Sequence, residues 1–173
     1  VLEGNDELGP ELSLDLPISV CYLKPDGSSL TLAGQDQLNY QILGRQVSIS
    51  PESFFQVNLR VAERLVEYVL DHLPQTIAFN TLELYAGAGL FSLFLAEHSR
   101  ELIAIESSPS ACYDFANNLD SYDNVRLYEG PVEQVLPALE SELPPLDLVL
   151  LDPPRAGLHP KARESLEKLS PEH

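Results

Sequence analysis

A chain of 173 residues with 44% hydrophobic content is long enough to bury a core of its own, which excludes disorder throughout. Ten Lys+Arg against 27 Asp+Glu give a formal net charge of −17, the opposite of what tight, nonspecific binding to a nucleic-acid backbone needs. No apolar run approaches ~20 residues, so no membrane span is expected, and two cysteines with four scattered histidines provide no metal-ligand spacing.

Residues 1–16 are acidic and proline-punctuated and are expected to form a tail. Residues 18–23 predict a strand, Pro25-Asp26-Gly27-Ser28 a turn, and 29–32 a short return strand. Residues 38–43 and 46–49, joined around Gly44-Arg45, predict a second hairpin. Together, 1–50 read as the end of an upstream or central domain.

Near Ser50 the period changes. Pro51 and Glu52 suit a first helical turn, and Val57, Val61, Leu65, Val69 and Leu73 recur at helical spacing. From Thr81 strands and helices alternate: strands over 82–85, 101–105, 124–128 and 146–151, helices over 90–97, 110–120, 131–139 and 161–169. Such alternation implies an α/β fold with parallel strands and right-handed crossovers. Residues 51–173 are therefore expected to hold one Rossmann-like sheet, incomplete at its C-terminal side. Leu148 to Leu151 look buried on both faces, yet their strand should stand at an edge.

Ala86-Gly87-Ala88-Gly89 follows the first of these strands and opens a helix, where glycine lets the backbone approach a ligand beside free N–H groups. No Gly-Lys-Ser/Thr follows, so the turn is not a P-loop. The second strand ends in Ile105-Glu106, and a carboxylate there can accept both ribose hydroxyls of an adenosine ligand. Hydride transfer with a nicotinamide cofactor and methyl transfer from S-adenosylmethionine then compete. A dinucleotide turn needs a third glycine at position 92, where Ser92 stands, and Glu83 ahead of the turn suits a ligand with a cationic end. Methyl transfer is favoured.

With Phe54-Phe55-Gln56-Val57-Asn58, Glu83-Leu84-Tyr85-Ala86-Gly87-Ala88-Gly89-Leu90-Phe91, Glu106 and Asp152-Pro153-Pro154-Arg155-Ala156-Gly157 in place, the chain resembles the RNA uracil-C5 methyltransferases from about Leu38 onward. The resemblance implies a class I methyltransferase fold, S-adenosylmethionine as cofactor, and a uridine in tRNA or rRNA as the target of the full-length protein. It places Gln56, Tyr85, Gly87, Gly89, Leu90, Glu106 and Asp152 at the cofactor, with Asp152 also beside the target base. The family often has asparagine where this chain has Leu90, whose contact must come from its backbone N–H. The loop near Gly130-Pro131 would border the adenine. Phe54 and Phe55 are expected in the core, Asn58 as a helix cap, and Arg155 either at the site or paired with a surface carboxylate.

C5 of uracil is too weak a nucleophile to take a methyl group directly. The resemblance implies a cysteine thiolate adding to C6, followed by a base that removes the C5 proton. The family's Ser-Cys-Asn-Pro-like turn and acidic base are expected beyond His173. Cys21 and Cys112 match neither, so this chain alone is expected to lack turnover. No metal or membrane partner is expected. Without a signal peptide, and with no Met to mark a true start, the cytoplasm is the expected compartment. The alternatives are an amino-group methyltransferase, disfavoured because Arg155 stands where an aromatic should, and a noncatalytic binding module on the same fold.

Overall fold

The computed structural model describes residues 2–3, 18–26, 28–76 and 78–169. The expected tail, save residues 2–3, and His173 lie outside them. The N-terminal part is β1 (Leu2–Glu3), β2 (Val20–Leu23) and β3 (Ser29–Ala33), which form one small sheet, and β4 (Leu38–Ile42) with β5 (Arg45–Ile49), an antiparallel hairpin turning at Leu43-Gly44.

Then follow α1 (Leu59–Asp71), β6 (Phe79–Leu84), α2 (Ser92–Leu95), β7 (Ser99–Glu106), α3 (Pro109–Asn118), β8 (Val125–Glu129), α4 (Val132–Leu139), β9 (Leu148–Leu151) and α5 (Pro160–Leu169). The last four strands make one parallel sheet in the order β8-β7-β6-β9.

Two cores sandwich this sheet, and the period of two along β7 shows why. Leu102 and Ala104 face a core with the hairpin, α1, α2 and α3, while Ile103 and Ile105 face a core with α4 and α5. All four side chains are buried. The hairpin shares the first core through Ile42, Val47 and Ile49. Its polar edge is tied there too: Arg45 donates to the Leu93 carbonyl at 2.7 Å and to Tyr122 Oη at 2.8 Å, and pairs with Glu97 at 2.6 Å. Ser50 donates from its N and Oγ to the buried Asp114 carboxylate at 2.8 and 2.6 Å. Packing therefore crosses residue 50, where the secondary-structure type changes.

Four sequence expectations change. Helix α1 starts at Leu59, not at Pro51: the chain first turns at Ser50–Ser53 and runs through a loop to Asn58, whose side chain accepts from Val61 N at 3.3 Å and caps the helix. Of the expected row, Val57, Val61 and Leu65 are 96%, 47% and 41% exposed, while Val69 and Leu73 pack against the first core; the fully buried residues of the helix are Ala62 and Val66, one step around it. The helix expected over 90–97 is the single turn α2. Strand β9 lies at the sheet's edge as expected, but it is not buried on both faces, and Leu151 is 37% exposed.

Candidate functional site

The turn after β6 is built by three residues in the left-handed region, Tyr85 (φ 62°), Gly87 (φ 57°) and Gly89 (φ 85°). Tyr85 bears a side-chain penalty of about 1–2 kcal/mol there. It is held by its N–H to the Ile105 carbonyl at 2.9 Å and by packing against the α4–α5 core. Burial, with the Glu133 carboxylate nearby, raises the phenol above its ordinary range.

The two glycines differ. A Cβ on Gly87 would meet nothing within 4 Å, whereas one on Gly89 would stand 2.6 Å from Leu119 Cδ2 and 3.0 Å from Phe115 Cδ2. Gly87 keeps a peptide open to the space above the turn, while Gly89 lets α3 pack beneath it. Asn118 on α3 steadies the turn by donating to the Ala88 carbonyl at 2.9 Å.

Glu106, at the end of β7, bridges two elements. Its Oε2 accepts from Gly87 N at 2.9 Å, and its Oε1 accepts from Ser107 N and Ser108 N at 2.7 and 2.8 Å. The carboxylate thus fixes the glycine turn against the approach to α3. Sequence reasoning placed it on a ligand; its backbone partners were not legible there.

Glu83 is 2% exposed and does not line the cavity. Its side chain points beneath the turn and meets the buried Ser92 hydroxyl. Burial, reinforced by Asp152 and Glu106, pushes the carboxyl up to about 8, although the Ser92 hydrogen bond pulls the other way. Ser92, noticed in the sequence only as a missing glycine, is the partner of that carboxyl.

Above the turn lies an open cavity of about 560 Å³, within the range of small-molecule sites. It gathers Gln56, Tyr85, Gly87, Leu90, Glu106 and Asp152 from four separate chain segments. Gly89 lies beneath the turn instead, and the Gly130-Pro131 loop is not part of the lining. Leu90, Phe91 and Ala111 supply apolar wall, while Glu52, Glu106 and Asp152 give the mouth negative potential. Arg155 lines the cavity, is exposed, and has no ion pair among the described residues. Phe54, expected in the core, is 78% exposed at the same rim.

Neither cysteine reaches this space. Cys112 is buried, its thiol donating to the Glu106 carbonyl at 3.4 Å, and burial beside Glu129 and Glu106 pushes it up to about 11. Cys21 is buried in the N-terminal sheet near Thr31. Among the described residues no cluster of three or more His, Cys, Asp or Glu could hold a metal, and no helix is long and apolar enough to cross a membrane.

Proteins of known structure share this fold. The solved structure of Pyrococcus abyssi tRNA (uracil-54, C5)-methyltransferase in complex with S-adenosyl-L-homocysteine superposes with a TM-score of 0.71 at 23% identity, over 91% of this chain and 40% of that one. The fold is therefore that of the class I methyltransferases. A Lactobacillus johnsonii protein described as an uncharacterized RNA methyltransferase is 32% identical over 146 residues, 83% of this chain and 32% of its own length. The human tRNA (uracil-5-)-methyltransferase homolog A is 36% identical over 133 residues, 75% of this chain and 21% of its own. The chain thus spans about a third or less of these two relatives. The profile of the tRNA (uracil-5-)-methyltransferase family matches residues 32–170. The chain belongs to the tRNA (uracil-5-)-methyltransferase family.

Proposed function

We propose that this chain is the cofactor-binding part of an S-adenosylmethionine-dependent enzyme that methylates C5 of a uridine in tRNA or rRNA. The observation that carries the reading is the Glu106 carboxylate, held at the cavity wall by Gly87, Ser107 and Ser108, with Asp152 also on the lining.

The residues present fit the cofactor. Glu106 faces the cavity with one acceptor position left beside its three backbone donors, enough for a ribose hydroxyl, Leu90 and Phe91 offer apolar surface, and Gly87 leaves room for close approach. The carboxylates Glu52, Glu106 and Asp152 favour a ligand with a sulfonium and an ammonium group and oppose the pyrophosphate of a dinucleotide. S-adenosylmethionine, when bound, supplies an electrophilic methyl group. Gln56, a neutral amide from the loop before α1, orients the ligand, and Asp152 on its rigid diproline loop faces the space left for the uracil.

Addition of a thiolate to C6 of uracil needs an accessible, ionisable cysteine. Both cysteines of this chain are buried and off the cavity. We infer that the chain binds the cofactor but does not turn over by itself.

Calorimetry of the chain with S-adenosylmethionine, S-adenosylhomocysteine and NAD tests the reading. Saturable binding of the first two and none of NAD is expected. Binding of NAD alone would restore the hydride-transfer alternative.

A further inference from the structure

We propose a second base-binding subsite beside the main cavity, taking an unpaired nucleobase that flanks the target uridine. This rests on RNA being the substrate. A groove of about 300 Å³ opens between the N-terminal sheet, the hairpin and the loop before α1. Phe55 and Gln56 line both this groove and the main cavity, so a ligand in one stands a single side chain's width from a ligand in the other. That is the spacing of neighbouring nucleotides on one splayed strand.

The lining chemistry selects a base over a phosphate. One wall carries Tyr40 and Phe55, which stack on each other at 5.3 Å between centroids and 8° between planes, a parallel aromatic pair that a base can extend. Ser53 Oγ is buried with no hydrogen-bond partner, and the Gln37 amide makes no hydrogen bond among the described residues. An unpaired buried hydroxyl and a free amide offer donors and acceptors to a base edge. The lining's charged residue is a carboxylate, Asp36, which repels phosphate. At the mouth Leu38 and Val57 are 46% and 96% exposed, leaving the way open.

The test compares two short single-stranded RNAs on the whole chain at low salt, read by fluorescence anisotropy. One has a central uridine with ordinary neighbours, the other the same uridine with abasic neighbours. Loss of the flanking bases should weaken binding about tenfold or more. In Gln37→Ala and Leu38→Asp, both outside the main cavity, that difference should shrink, while calorimetric affinity for S-adenosylhomocysteine stays unchanged. If S-adenosylhomocysteine binds but the two RNAs bind equally, or neither binds, the subsite is overturned and the cofactor reading stands. If S-adenosylhomocysteine itself fails to bind, the proposed function falls first.

Discussion

The Glu83 carboxyl and the Ser92 hydroxyl meet in the sealed space beneath the glycine turn and join the end of β6 to the first turn of α2. An ionised carboxylate is costly there, and burial lifts the group to about 8 from the ordinary 4.5. A raised acid binds its proton more tightly in the folded state. Its contribution to stability is full below 4.5 and is lost as pH rises towards 8. Between pH 6 and 8 the chain should lose on the order of 2 kcal/mol from this group. Glu83→Gln, which keeps the shape and a hydrogen bond to Ser92, should flatten that dependence and melt higher than the parent at pH 8.5. Thermal melts at pH 6 and 8.5 check it. A glutamine variant equally weakened at both pH values would show that the carboxyl is not the source.

Gly87 and Gly89 should separate binding from stability. Alanine at Gly89 combines a positive φ with a 2.6 Å approach to Leu119, so it should destabilise the fold by about 1–3 kcal/mol. Alanine at Gly87 meets no atom within 4 Å and should cost about 1 kcal/mol of backbone strain. Its methyl group would intrude on the cavity, so the main effect should be weaker binding of S-adenosylhomocysteine. Melting curves and calorimetry on both variants would show whether the two losses part company.

Glu106→Gln tests the cavity wall directly. The amide keeps the volume but loses the charge with which the carboxylate accepts from Gly87, Ser107 and Ser108. Charge-assisted hydrogen bonds of this kind contribute about 1.5–3 kcal/mol each. Affinity for S-adenosylhomocysteine should fall at least tenfold, and the melting temperature should drop as well, because the glycine turn loses its charged anchor. Unchanged affinity would remove Glu106 from the cofactor site.

The strands were legible because β7 holds the unbroken apolar run Leu102-Ile103-Ala104-Ile105 and β6 ends in Leu82-Glu83-Leu84 directly before the glycine turn. Gln56, Tyr85 and Leu90 were singled out by the family resemblance, Glu106 and Asp152 also by their places at strand ends, and the fold brings all five to one cavity. What the pattern hid is orientation. The row Val57, Val61, Leu65, Val69 and Leu73 reaches the core only through its last two members, because small Ala62 and Val66 take the inward place over the first half of α1. Phe54 looked like core because aromatic residues usually are, and nothing local shows that its loop stands at a rim. Glu83 read as ligand-facing because one residue's step along a strand reverses its face. Its pairing with Ser92, nine residues on, follows from the turn's shape, which no spacing rule encodes.

Cys112 gives the sharpest check on where the nucleophile is not. With its thiol pushed up to about 11, only about one molecule in a thousand carries a thiolate at pH 8. The sulfur is also buried and donates to the Glu106 carbonyl. Iodoacetamide should therefore label the folded chain far more slowly than the denatured one. Cys112→Ala should leave affinity for S-adenosylhomocysteine within about twofold and cost roughly 1 kcal/mol of stability for the lost packing. The chain incubated with S-adenosylmethionine and RNA should yield no 5-methyluridine. Product that appears with the parent chain and disappears with Cys112→Ala would mean that α3 opens to present this thiol, and the assignment of Cys112 as a packing residue would have to be withdrawn.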